Sequence, residues 1–236
     1  MVDSMFKQKK VSSEVQKVEK VKKVEKVAPL VTKPTTGIKL FGVWDTSRIE
    51  ISDIGLKPYI NLSPVLVPKS GGRSIGKQFW KSKKSIVERL MNKLFVPGHK
   101  GKKHWRTSGL NTGKSATVYR IVKSTFEIIE KKTGSNPVQV LVRALEAGSP
   151  KEGITTIEYG GVRYPKAVDL APQRRIDLVL RWITQGAYAA SSAGKSKKSI
   201  QNALADELIA TANLDQAKSM CLKKQVELER QAAASR

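Results

Sequence analysis

Cysteine occurs once in this chain, at Cys221, so no disulfide can form within it, and that usage fits a reducing compartment. No apolar run approaches the ~20 residues of a membrane-spanning helix, and no membrane is expected among its partners. None follows the basic start as it would in a signal peptide, and Glu14, Glu19 and Glu25 interleave the lysines there, unlike a transit peptide. A cytosolic or nuclear chain is the expectation. The two histidines, His99 and His104, lie among cations that would repel a metal ion, with no carboxylate close in sequence. Neither stands near Cys221. With no nucleophile, base or metal set in view, no enzyme, cofactor or small-molecule substrate is expected.

Acidic residues are scarcest where cations are densest. Between Ser63 and Lys123 there are fifteen Lys or Arg residues and one acid, Glu88, so 61 residues carry +14 of the formal +24 of the 236-residue chain. That much like charge on one surface calls for an anionic partner. A nucleic-acid backbone offers one negative charge per nucleotide over tens of ångströms, so RNA or DNA is the expected partner.

Three segments are legible. Residues 1–36 are low complexity, mostly Lys, Val and Glu, and read as a disordered basic arm whose valines (18, 21, 24, 27) have nothing to bury against. Residues 37–82 read as an extension. Phe41 and Trp44 are its buryable aromatics, Ser52-Asp53 marks a turn, and a Gly/Pro/Lys loop anchored by Phe79 and Trp80 closes it. It is expected to pack on the surface of the core.

Residues 83–236 read as a helical domain. Ile86, Leu90 and Leu94 make one stripe, and a basic loop follows from Val96 to Asn111. A helix is expected over Thr112–Thr133, with Val118, Ile121, Val122, Phe126 and Ile129 inward and Gly134 as its stop. Asn136-Pro137 has the form of an N-cap followed by proline at the first helical position. The period breaks over 154–170, where Ile, Thr, Tyr and Val flank Gly160-Gly161 as in a hairpin, and Pro165 demands an edge strand. Helices from Pro172, around Ile200–Leu208 and from Leu214 to about Ala233 complete the chain. The fold class is mainly α: a bundle of about six helices with one protruding two-stranded β-hairpin, plus the arm.

Gly109 to Ser115 ends like a phosphate-binding P-loop but has three residues between its glycines, with Ser108 where the first glycine should stand. Gly113-Lys114-Ser115 reads instead as a helix start facing phosphates. Glu127 with Glu130, and Asp206 with Glu207, are expected to pair with cations on helix faces. Among the tryptophans Trp182 reads as core, and Trp105, inside Lys102-Lys103-His104-Trp105-Arg106, is the candidate for stacking on a base.

Several blocks in order resemble the S-seven family of small-subunit ribosomal proteins (S-five in eukaryotes), from about Ile38 to Arg236. The most specific is GGVRYPKAVDLAPQRRIDLVLRW, Gly160 to Trp182. Ile86 to Leu90, Gly113-Lys114 leading into Ile121-Val122 and Phe126 to Ile129, and Ala203 to Leu208 with Lys223-Lys224 are similar too. Ile38 to Gly42 resembles the archaeal and eukaryotic branch.

The resemblance implies a primary binder of the 3′ major domain of small-subunit rRNA that organises the subunit head beside neighbouring head and platform proteins. The hairpin would lie near the exit-site tRNA and the mRNA exit path. Such a protein is cytoplasmic, in the subunit, with transient nuclear or nucleolar passage if the source is eukaryotic. On this reading 37–82 packs on rRNA as well as core, and the rRNA-binding candidates are Lys69, Arg73, Lys77, Lys81, Lys83, Lys84, Lys100, Lys102, Lys103, Trp105, Arg106, Lys114, Lys166, Arg174 and Arg175. The tip facing tRNA and mRNA would be Tyr159, Gly160, Gly161, Val162 and Arg163. One departure is Glu158, which puts an acid on a strand that is more basic in many relatives. The alternative is a free basic helical DNA- or RNA-binding factor not stably held in ribosomes.

Overall fold

Among the described residues, six α-helices form where the apolar stripes fall. The computed structural model describes residues 37–100, 103–104, 111–192 and 198–236; the basic arm lies outside them. The helices are α1 (Ile86–Leu94), α2 (Ser115–Thr133), α3 (Pro137–Ala147), α4 (Pro172–Ser192), α5 (Ile200–Ala212) and α6 (Met220–Ala233). Their inward residues share one core: Leu90, Val118, Val122, Phe126, Leu141, Leu145, Ile176, Leu180, Ile183 and Leu204 are all fully buried.

Local chemistry sets the helix ends. The Asn136 side chain accepts from the Val138 amide at 3.0 Å, and Pro137 follows at the first turn. Gly134 ends α2 in the left-handed conformation at φ 64. Two starts fall later than periodicity suggests. Gly113 at φ 78 and the Asn111–Lys114 turn delay α2 to Ser115. Leu214, at φ 59, breaks the path into α6, and Asp215 accepts from the Ala217 amide in a turn. The last helix therefore begins at Met220, capped by Ser219, and not at Leu214.

Residues 37–62 are more than a surface extension. Leu40, Phe41, Trp44, Leu56 and Ile60 are buried within the core itself. Phe41 and Trp44 meet Phe126 edge to face, with centroids 6.0 and 5.6 Å away. Trp44 Nε1 donates to Glu130 at 3.0 Å. Residues 50–53 pair with no strand among the described residues, and α3 takes up part of their backbone: the Gln139 amide bonds both the N–H and the C=O of Glu50, and Glu146 accepts from the Ser52 and Asp53 amides.

The basic loop after α1 contains a two-residue antiparallel ladder, β1 (His99–Lys100) with β2 (Lys103–His104). The larger hairpin pairs β3 (Glu152–Tyr159) with β4 (Val162–Asp169) in register Tyr159↔Val162 through Glu152↔Asp169. Gly160 and Gly161 take φ 56 and 79, the paired positive values of a type I′ turn. Past its base the ribbon stands clear of the bundle: Ile157, Tyr159, Val162 and Tyr164 are all exposed. At the base, the Ala167 amide donates to the Ser235 carbonyl, and Arg236 pairs with Glu152.

Candidate nucleic-acid interface

Several exposed cations of the described residues lie in the loop before α1 and at the amino end of α2. Lys69, Arg73 and Lys114 are exposed there, as is Lys166 on β4, and none forms an ion pair among the described residues. Lys69 and Lys84 line a groove of 590 Å³ with Met91, Tyr119 and Arg120. Lys77 and Lys83 place their ammonium groups 5.2 and 4.5 Å from the centre of the Trp80 ring.

Other cations on the same stretch are structural. Lys81 and Arg89 converge on Asp177 of α4, with Arg89 at 3.1 Å. Burial alone would push the Asp177 carboxyl up, but hydrogen bonds and charge from Lys81 and Arg89 outweigh it and hold the group below the usual carboxylate range. Lys93 lies beside this cluster. Its ammonium is pushed below the ordinary lysine range by burial, with Arg181, Lys81 and Arg89 adding repulsion and Asp177 opposing. Lys84 sits 3.7 Å from Glu88, which also accepts from the Ser70 hydroxyl. The expected candidates thus divide into free cations and tied ones.

The start of α4 divides in the same way. Arg174 is exposed, whereas Arg175 is not available outside. Its Nη2 pairs with Asp53 at 3.0 Å and its Nε donates to the Pro150 carbonyl, so it bolts residues 37–62 to the helix. At the ribbon tip, Arg163 stands opposite Glu158 at 3.4 Å, both in solvent, and Tyr159 is 82% exposed. Lys100 and Lys103 belong to the short ladder, while Lys102, Trp105 and Arg106 lie outside the described residues.

Phe79 corrects an expectation: it does not anchor its loop, being 66% exposed. Trp182, by contrast, packs against the core. Of the acids, Asp206 pairs with Lys132 and Lys198, and Glu130 serves Trp44. Glu207 turns inward to accept from the Ser219 hydroxyl and the Cys221 amide. No group of three or more His, Cys, Asp or Glu residues could hold a metal ion, and no helix is long and apolar enough to cross a membrane, among the described residues.

A mainly helical bundle with exposed cations and a projecting ribbon defines the class: a basic, mainly α protein. Comparison with known proteins gives the family. The family described as Ribosomal protein S7p/S5e matches over residues 68–236. The protein named Small ribosomal subunit protein uS7 in the archaeon Nanoarchaeum equitans is 49% identical over 199 residues, 84% of this chain and 99% of its own length. Its namesake in Methanothrix thermoacetophila is 47% identical, over 84% of this chain and 100% of its own, and that of Methanococcus aeolicus is 44% identical, over 84% and 99%. The chain belongs to the ribosomal protein S7p/S5e family of the small subunit: it is a structural ribosomal protein and not an enzyme.

Proposed function

We propose that this chain is a primary binder of the 3′ major domain of small-subunit rRNA and organises the head of the small ribosomal subunit, among neighbouring head and platform proteins. The observation that carries the reading is the charge imbalance, fifteen cations against Glu88 over residues 63–123, together with the exposure of Lys69, Arg73 and Lys114. Those cations, with Arg174 and Lys166, neutralise phosphates of converging RNA helices and fix the junction in one geometry. Phosphate contacts of this kind position the protein, and specificity comes from RNA shape and unpaired bases. The ribbon tip, Tyr159 to Arg163, lies toward the exit-site tRNA and the mRNA exit path in this reading. In a cell the protein works in the cytoplasm within the subunit, with nucleolar passage in a eukaryotic source.

Salt dependence tests the reading. If ~10 phosphates are contacted, log K against log salt falls with a slope of roughly −7 to −9 for a transcript of the 3′ major domain. A slope near −2 would leave too few contacts for a primary binder. Sedimentation of an extract after a ~0.5 M salt wash separates the alternative, because a free factor would stay at the top of the gradient once its phosphate contacts are screened.

A further inference from the structure

The loop before α1 carries a feature that phosphate neutralisation does not use. Phe79 holds φ 66 and ψ −2, a left-handed conformation that bulky residues rarely adopt and that glycine takes without strain. The backbone there is imposed from beneath. The Phe79 carbonyl accepts from the Ser82 amide at 3.1 Å and from Nε2 of Gln173 at 3.4 Å. Gln173, buried on α4, also donates to the Ser82 hydroxyl at 3.0 Å. The turn could thus be made by glycine, yet the chain places an aromatic ring there and turns it to solvent, 66% exposed.

Its neighbour Trp80 gathers Lys83 and Lys77 within cation–π reach, at 4.5 and 5.2 Å from the ring centre. Phe79, Trp80 and Lys83 frame a 560 Å³ cleft with Pro58 and Tyr59. An exposed ring beside two gathered ammonium groups matches a nucleotide outside a duplex, with the base on the ring and the phosphates on the cations. We infer that Phe79 is a stacking platform for one unpaired nucleobase of the bound RNA, and that Lys77 and Lys83, held by Trp80, take the phosphates flanking it. The inference rests on the RNA-binding reading above and adds a base contact to it. The local charge favours RNA over a protein partner: Lys77 and Lys83 form no ion pair among the described residues, and residues 77–83 contain no acid.

The test uses the full chain and a transcript of the 3′ major domain, with affinity read by filter binding at fixed salt. Phe79→Gly relieves the backbone strain, so its Tm is expected to equal or exceed that of the wild type. Its affinity is expected to fall roughly 5- to 150-fold, the range for losing one stacked base. Its salt slope is expected to stay unchanged, because no phosphate contact is lost, whereas Lys77→Gln with Lys83→Gln lowers the slope. Phe79→Tyr is expected to bind as the wild type does.

Phe79→Gly binding within about twofold of wild type would sink this inference and leave RNA binding intact. A wild-type chain that fails to bind the transcript would bring down both. A photo-crosslinker at position 79 that reacts with a neighbouring protein in assembled subunits, and not with RNA, would overturn it in favour of a protein partner.

Discussion

Glu207 shows how far a residue's surroundings can depart from its sequence neighbourhood. Beside Asp206 on a lysine-rich chain it reads as a surface acid, yet it is only 7% exposed and lies against Gly186. A Cβ on Gly186 would stand 2.8 Å from the Glu207 carboxyl carbon, so the glycine makes room for the carboxylate. Burial raises its pKa above the ordinary 4.5, and bonds from the Cys221 amide and Ser219 only partly offset this. Since the folded pKa is the higher one, the protonated form favours the fold. This contribution is full below the unfolded value and is lost as pH rises through the folded one. Glu207→Gln keeps an acceptor for Ser219 and Cys221 and is expected to flatten that pH dependence in thermal melts. Glu207→Ala strands the Cys221 amide, leaves the Ser219 hydroxyl only Thr211 as a side-chain partner, and is expected to cost roughly 1–3 kcal/mol by urea unfolding. A Glu207→Gln protein with the same pH profile as wild type would show that the carboxyl does not titrate in this window.

At the scale of elements, α1 and α4 are tied by a charge pair in a largely apolar contact. Arg89 is 4% exposed and gives one nitrogen to Asp177 and another to the Tyr59 carbonyl, so three segments meet on one guanidinium. Asp177→Asn would leave that buried cation without its counter-charge. The expected loss is about 3 kcal/mol, seen as a lower urea midpoint with an unchanged slope. A change under about 0.5 kcal/mol would mean the pair is screened by water.

These elements were legible in sequence wherever the signal was local. The cap at Asn136-Pro137, the stop at Gly134 and the turn at Gly160-Gly161 depend on residues within a few positions of each other. The pairing of cations was not legible. Lys81 finds Asp177 96 residues away, and Arg175 finds Asp53 122 residues away. The count of charges therefore pointed to a polyanion, while the division between free cations and bolts waited on the fold. The depth at which Phe41 and Trp44 are buried is not a local property either, because their partners are Phe126 and Tyr119 on α2.

On the whole molecule the same aromatics are expected to set the minimum folding unit. The family match begins at residue 68, but the core reaches back to Leu40. A chain of residues 68–236 would lack Leu40, Phe41, Trp44, Leu56 and Ile60 and would open the face of Phe126 to water. Removing even one buried aromatic costs 3–5 kcal/mol, a large part of a domain's net stability. We expect 37–236 to melt cooperatively, and 68–236 to be insoluble or to give a broad, low-temperature transition in calorimetry. A cooperative melt of 68–236 would show that residues 37–67 are dispensable for folding.

The ribbon has a consequence for copies that have not yet met their partner. Beyond its braced base, β3 and β4 leave outer backbone donors and acceptors unclaimed, and Ile157, Tyr159, Val162 and Tyr164 offer an apolar strip beside them. A surface of that kind accepts another strand, including the same ribbon of a second molecule. Pro165 interrupts one edge and Arg163 and Lys166 charge it, which slows such pairing without abolishing it. Surplus molecules made faster than assembly consumes them are therefore expected to associate through this ribbon, and covering it is expected to keep them apart.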